Sequence, residues 1–509
     1  MAPFITYQMG QLKSMFVKFS QSIGSRVDIV PMTWSREMSR LHDACPPSSE
    51  YHVRHEIETE FSLFHSSTLL STKNSIFSNS TNTTTNNSTS NNNNTPTTTS
   101  ITPEVSVSPS LSASHISSSP SSSSSSSTST ATATITPSGR YTSSSSPSLS
   151  PSSSSSPSSS ASRVAIEDIF ETFDMTPIAS ASIGQVHTAT LKSPVTGEVV
   201  PVVVKVQHHD IARIMWSDVI IAGRLIQIAS FFDSRWEVLG TALRGWKKTM
   251  QDELDFRVEA RNLLQVGNSL RATSLDAEVP EPIEGLISRT VLVMTRLEGF
   301  KVTDKLALNI LSVDRRALVC RIAHCCAKQL LVDGLFNADP HAGNLMFMSS
   351  RRHPGSCCPG LLDFGMTVRL EDNRRQAYCR LLIAIYEGDS DAATAALKEV
   401  GYSTNQSSRV PGRDAEAFEF LFRDATPRKQ AMKETSSFFD LRKNQKNNDI
   451  KDGTREKAGR NIENVPEDLL FLIRVVGLLR GLTADLEVSC PILHILSLHA
   501  RVGLYKTCN

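Results

Sequence analysis

Asp339 and Asn344 stand five positions apart in the run Gly334-Leu335-Phe336-Asn337-Ala338-Asp339-Pro340-His341-Ala342-Gly343-Asn344. A carboxylate can orient a hydroxyl or a water, and an amide carbonyl can hold a hard metal ion. His341, between them, reads as a general base or as a hydrogen-bonding residue of the loop, the second being the stronger reading. Nineteen residues after Asn344, an apolar run ends in a carboxylate at a turn: Leu361-Leu362-Asp363-Phe364-Gly365. Asp363 supplies a second hard oxygen. Upstream, Lys205 sits inside Val202-Val203-Val204-Lys205-Val206. On a strand it shares a face with Val203. A lysine buried in apolar sequence needs an anionic partner; the alternative is a lysine that snorkels from an edge strand. Earlier still, Pro177–His187 (PIASASIGQVH) strings small residues together. Small side chains let backbone approach a phosphate closely, although such a run equally fits a tight turn.

The elements that must position these groups are legible around them. Pro201–Gln207 and Thr290–Thr295 read as short strands rich in β-branched residues, and Leu361–Phe364 as a third. Tyr51–Phe64, Thr249–Leu264 and Gln376–Glu387 read as helices. Val313–Val332 reads as a long helix that Ser312 caps and Asp333-Gly334 ends. Pro466–Leu482 is an apolar helix with an acidic start, as the helix dipole prefers. Its Arg474 and Arg480 fit either a core helix or one snorkelling at a membrane interface. The segment 423–460 carries 11 basic and 6 acidic residues and reads as a solvated helix or a flexible loop.

Composition bounds the rest. The chain has 509 residues, with 52 Lys+Arg against 51 Asp+Glu. Residues 66–162 are almost wholly Ser, Thr, Asn and Pro, with three charged side chains (Lys73, Glu104, Arg140). Such a tract buries too little apolar surface to offset its ordering entropy and is expected to be disordered. The remaining 412 residues carry no net charge, so no basic field draws nucleic acid. No uninterrupted apolar run is long enough to span a bilayer; Val219–Phe232 is broken by Arg224. Nine cysteines, an odd number without a CxxC pair, read as reduced thiols. His324, Cys325 and Cys326 diverge by ~100° per residue on a helix and cannot all face one ion. The first ten residues form neither a secretory signal nor an Arg-rich leader.

The order lysine, Asp-x-x-x-x-Asn, Asp-Phe-Gly is that of protein kinases. With the flanking residues, the sequence resembles the UbiB/ADCK family of atypical kinase-like proteins. The family's Ala-rich loop corresponds to Ala179–His187, its V-A-V-K-V-Q to Val202–Gln207, and its E-x-D to Glu253-Leu254-Asp255. Its E-A-x-N corresponds to Glu259-Ala260-Arg261-Asn262, its D-P-H-P-G-N to Asp339–Asn344, and its N-terminal K-x-G-Q to Lys18-Phe19-Ser20-Gln21. Departures are Ser20 for a glycine, Ala342 for a proline, Asn337 for a usual histidine, and a longer loop at Arg351–Gly360.

The resemblance implies an α+β, two-lobed protein-kinase-like fold with added N-terminal helices and a long disordered insertion. Its parts would be an N-terminal helical lid at 1–65, the insertion at 66–162, an N-lobe at 163–300 and a C-lobe at 301–505. It implies that ATP contacts Ala179, Ser180, Ala181, Ser182, Gln185, Val186, Lys205, Glu259, Met294, Thr295 and Leu297. Asn344 and Asp363 would hold Mg2+, and Asp339 would be the catalytic aspartate. Lys18, Gln21, Glu253 and Asp255 would form the lid contact. It further implies an ATPase or phosphotransferase serving isoprenoid-quinone or other prenyl-lipid metabolism in a mitochondrion or plastid. Partners would include a lipid or membrane surface and lipid-biosynthesis enzymes. The alternatives are a non-catalytic nucleotide-binding scaffold and a genuine protein or small-molecule kinase.

Overall fold

The computed structural model describes residues 45–62, 164–192, 198–232, 250–405, 412–451 and 462–506, with a few isolated positions besides. Lys18, Gln21, most of the helical lid expected over 1–65 and the tract 66–162 lie outside the described residues.

The first described helix, α1 (Glu50–Ser62), buries Val53, Ile57 and Phe61 at four-residue spacing, a single apolar stripe. Beyond the tract come α2 (Ile166–Ile169), β1 (Thr172–Phe173), β2 (Ala179–Ser180), β3 (Gly184–Lys192) and β4 (Val199–Gln207). Then follow α3 (Ile211–Phe232), α4 (Phe256–Arg271), β5 (Pro282–Ile287) and β6 (Val291–Thr295). The strands form one antiparallel sheet in the order β1-β3-β4-β6-β5, with β2 beside β3. Alternation along β4 decides which side chains meet which layer. Val202, Val204 and Val206 are buried against the α1 stripe, with Leu191 and Val293. Val203 and Lys205 take the opposite face, as the strand period requires. Each fully buried side chain of the α1 stripe is worth roughly 1.5–3 kcal/mol before entropy. The segment before the tract is thereby clamped to the sheet that follows it, and the Val164 N–H donates to the Ser62 hydroxyl at 3.1 Å.

The helix expected over Thr249–Leu264 is interrupted. Residues 250–253 are helical, the chain turns at Leu254, and α4 starts afresh at Phe256. Asp255 is its N-cap and accepts from the Arg257 N–H. Glu253 and Glu259 are thus not related by rotation around one helix.

The second lobe contains β7 (Phe300–Lys301), α5 (Lys305–Ile310), α6 (Arg315–Lys328), a π-helical turn at Gln329–Asp333 and β8 (Leu335–Asn337). A 3-10 turn at Ala342–Asn344 leads into β9 (Leu345–Ser349), β10 (Cys357–Leu361), β11 (Thr367–Arg369), α7 (Asp372–Glu387) and α8 (Ser390–Glu399). The chain ends with β12 (Ser403–Thr404), α9 (Gly412–Phe422), α10 (Arg428–Lys451), β13 (Ile462–Asn464), α11 (Glu467–Asp485) and α12 (Ile492–Tyr505). Ser312 does not cap α6; Asp314 does, accepting from the Ala317 N–H. The helix widens into the π turn after Lys328 and stops at Gly334, whose φ of 67° favours glycine. The buried Arg375 guanidinium bridges the Leu331 and Gly503 carbonyls at 2.9 Å each, so α12 closes against this turn. A Cβ on Gly503 would lie 2.1 Å from the Leu331 oxygen, so only glycine permits that approach.

The polar segment is helical over Arg428–Lys451. α11 lies in the core, with Leu469, Leu472, Val475, Val476 and Leu479 buried in the main apolar cluster. Its Arg480 donates to the Arg423 and Asp424 carbonyls rather than snorkelling. The expectation of no bilayer-length helix needs correcting. α3 begins eight residues before the apolar run read from the sequence, and by length and composition it could cross a membrane.

Candidate functional site

Between the lobes lies a cavity of about 660 Å³. One wall is the small-residue loop, where β2 turns into β3. Its turn is closed by the Ala181 N–H donating to the Gly184 carbonyl at 2.9 Å. A Cβ on Gly184 would meet the Val206 oxygen at 2.5 Å, so glycine lets β3 start this close to β4. Ala179, Ala181, Ser182 and Val186 line the cavity.

Ser180 and Gln185, expected to face a nucleotide, do not line it. The Ser180 carbonyl accepts from the Cys45 N–H at 2.8 Å, and the Gln185 Oε1 accepts from the Ser48 N–H at 2.6 Å. Gln185 Nε2 donates to His187 Nε2 at 3.0 Å, and His187 Nδ1 donates to the Asp174 carbonyl at 2.8 Å. Burial pushes the His187 imidazole below its usual range, which suits this neutral form. Gln185 therefore ties the segment preceding α1 to the back of the loop.

Behind the loop, Lys205 Nζ donates to both Glu259 oxygens at 2.8 Å and to Asp363 Oδ2 at 3.3 Å. Its ammonium also lies 5.1 Å from the Phe256 ring centroid. Burial opposes the lysine charge, but Asp363 and Glu259 more than offset it and raise its pKa. Burial pushes Glu259 up to about 7, with Lys205 opposing and Asp363 reinforcing. Burial also works against ionised Asp363, yet Lys205, the Gly365 N–H and His341 hold it down at about 2.

The loop after β8 brings Asp339 and Asn344 to the same cavity. Asn337 Nδ2 donates to the Asp363 carbonyl at 2.6 Å, and its Oδ1 accepts from the Asp339 N–H at 2.7 Å. One side chain thus fixes the two acidic loops relative to each other. Asn262 Nδ2 donates to the Phe364 carbonyl at 3.3 Å and ties α4 to the same strand end. His341 Nδ1 accepts from the Gly343 N–H at 3.1 Å, a structural part in its loop. The Leu362 N–H donates to the Asn344 carbonyl at 3.0 Å, which sets Asn344 beside Asp363. A carboxylate and an amide side chain lining one cavity could hold a hard cation.

Met294, Thr295 and Leu297 form the wall at the end of β6. Glu253 is buried and lines the cavity, whereas Asp255 does not; besides capping α4, it pairs with Arg257 at 2.7 Å. Sequence reasoning missed Phe256, the bridging part of Asn337 and one further cation: Arg474 on α11 reaches Asp339 Oδ1 at 2.8 Å. The only signal for Arg474 was an arginine in an otherwise apolar helix.

A family profile described as the ABC1 atypical kinase-like domain matches residues 147–397. The chain carries an ABC1 atypical kinase-like domain. The two lobes around a lysine–glutamate–aspartate cluster are that domain's kinase-like architecture. The matched residues include Lys205, Glu259, Asp339, Asn344 and Asp363, while α11 with Arg474 lies beyond them. A probable protein kinase UbiB from Shewanella halifaxensis is 30% identical over 262 residues, 50% of this chain and 44% of its own. An AarF domain-containing protein kinase 1 from Gallus gallus is 27% identical over 326 residues, 63% of this chain and 59% of its own. The chain thus matches about half the length of these relatives. A solved structure of a complex of Rv3197 with erythromycin, from Mycobacterium tuberculosis, overlays with a TM-score of 0.44 at 21% identity. It covers 64% of this chain and 76% of that one.

Proposed function

We propose that the inter-lobe cavity binds ATP with Mg2+, and that the protein is an ATPase or phosphotransferase supporting isoprenoid-quinone or other prenyl-lipid metabolism. The observation that carries this reading is Lys205, held between Glu259 and Asp363 at the back of a cavity that also receives Asp339 and Asn344. Lys205 would contact the phosphates, with Glu259 fixing its position. Asp363 and Asn344 would hold the metal, which supplies charge neutralisation to the phosphates when bound. Asp339 would orient an acceptor hydroxyl or water. Ala179, Ala181, Ser182 and Val186 would cover the nucleotide, and Met294, Thr295 and Leu297 would contact its base. The proposed location, from the family resemblance, is a mitochondrion or plastid.

The lipid side of this reading has support in α3. Ile211, Met215 and Val219 attach its first half to the body. On the opposite arc Ile220, Ile221, Leu225, Ile228, Phe231 and Phe232 are exposed, with Phe231 84% and Phe232 81% accessible. At ~100° per residue those six side chains fall within an arc of about 140°. Arg224 lies in that arc, and Lys247 packs over the Trp216 ring at 5.3 Å. An apolar face that carries Arg224, with the Trp216–Lys247 pair flanking it, suits an anionic membrane surface.

The decisive test is binding of a fluorescent ATP analogue by the full chain with Mg2+, with EDTA, and in Asp363→Asn. EDTA and the substitution should each abolish metal-dependent binding. Unchanged ATP·Mg affinity in Asp363→Asn would sink the assignment.

A further inference from the structure

The loop from Asp339 to Asn344 contains no lysine or arginine, only Pro340, His341, Ala342 and Gly343 between its ends. A half-buried carboxylate beside a second one at Asp363 needs a cation. The fold supplies it from far downstream. α11 runs through the C-lobe core and is buried almost throughout its second half. Arg474 leaves it toward the cavity, where one terminal nitrogen meets Asp339 Oδ1 at 2.8 Å. The other lies 3.4 Å from the sulfur of Met366, the residue after the Asp-Phe-Gly turn. Its Nε is buried with no hydrogen-bond partner. Three further hydrogen bonds fix the same site: Asn337 holds the Asp339 N–H and the Asp363 carbonyl, and the Ala338 N–H donates to the Met366 carbonyl at 2.8 Å. The guanidinium therefore closes a bracket around the two acidic loops from the C-lobe side, while Lys205 faces Asp363 from the N-lobe side.

We propose that Arg474 is a positioning residue for phosphoryl transfer in this cavity, holding the Asp339 carboxylate aimed at the acceptor. The inference rests on the ATP reading above and goes beyond it, because α11 lies outside the residues matched to the kinase-like domain. A planar guanidinium fixes the direction of a carboxylate, which a flexible ammonium does less well. Its loss should lower the rate of transfer far more than the affinity for nucleotide, since Lys205, Asp363 and Asn344 are untouched.

The test uses the full chain in steady-state ATP turnover with Mg2+, alongside fluorescent-nucleotide binding. Arg474→Met should lower kcat by about 10- to 100-fold with KM for ATP changed less than about threefold, and Arg474→Lys should recover part of the loss. The double substitution Arg474→Met with Asp339→Asn should be no slower than Asp339→Asn alone, because the arginine acts through the aspartate. Wild-type kcat in Arg474→Met, or losses that multiply in the double variant, would overturn the inference and leave the ATP reading standing. A fall in nucleotide affinity equal to the fall in kcat/KM, without rescue by lysine, would also overturn it and mark the arginine as merely structural. A wild-type chain without ATP turnover would overturn both.

Discussion

Lys205 shows how a buried charge constrains its neighbours. Its side chain is 14% exposed and that of Glu259 only 2%, so neither carboxylate nor ammonium is well hydrated at their contact. Lys205→Met should cost about 1–3 kcal/mol of stability in urea denaturation. The cost stays below that of a fully ionised orphan because Glu259, already pushed up to about 7, can take a proton. The sign of the pH dependence follows. A carboxyl whose folded pKa lies above its unfolded value loses stability as pH rises from the unfolded toward the folded pKa. The deficit of Lys205→Met should therefore be larger at pH 8 than at pH 5. Adding Glu259→Gln should remove most of that difference; a deficit independent of pH, or unchanged in the double variant, would refute the account. At this scale the sequence was informative for Lys205, because a lysine among valines on a two-residue period has one partner-seeking face. It marked Asn337 only as a departure and Arg474 only as a charge in an apolar helix, because their partners lie on loops that only the tertiary fold brings together. It misdirected on Gln185, since a residue next to a loop glycine can point to either side of the strand.

Element boundaries failed where a cap or a backbone carbonyl decided them. Ser312 looked like a helix start, yet Asp314 two residues later has the carboxylate that reaches the Ala317 N–H. The break at Leu254-Asp255 was invisible because both flanks share helical composition. α3 was underestimated for a related reason: Arg213, Asp218 and Arg224 break up its apolar sequence, although a helix can carry such charges off its apolar faces. The exposed arc of α3 gives a prediction at this scale. Phe231→Ser with Phe232→Ser should reduce co-sedimentation of the full chain with vesicles containing about one-third anionic lipid, by about tenfold. Removal of two exposed phenyl rings from a buried interface accounts for that magnitude. Nucleotide binding should be unchanged. Equal sedimentation of both proteins, or no sedimentation of the unsubstituted chain, would count against a membrane-facing α3.

The described residues form a kinase-like body, and in the sequence the Ser/Thr/Asn/Pro-rich tract stands between its α1 and α2. The two ends of that tract are fixed within reach of each other, through the hydrogen bond from Val164 to Ser62 and the shared apolar cluster of α1, α2 and β4. A segment whose flanks are already joined need only add loop-closure entropy, and the body is predicted to fold without it. Closing a loop costs about 0.6 kcal/mol for each doubling of its length. Replacing residues 66–162 by a short Gly-Ser linker shortens the loop by about four doublings, which sets an upper bound near 2–3 kcal/mol on the gain. The expected outcome is a protein that folds, binds ATP·Mg as the full chain does, and melts at the same temperature or a few degrees higher. Loss of cooperative unfolding on excision would mean that the tract supplies structure to the body. Intact folding with lost nucleotide binding would mean that it acts on the cavity, through the segment that Cys45 and Ser48 attach to the loop. The first expectation follows from where the two ends lie, and that proximity could not be read from a sequence in which they stand about a hundred residues apart.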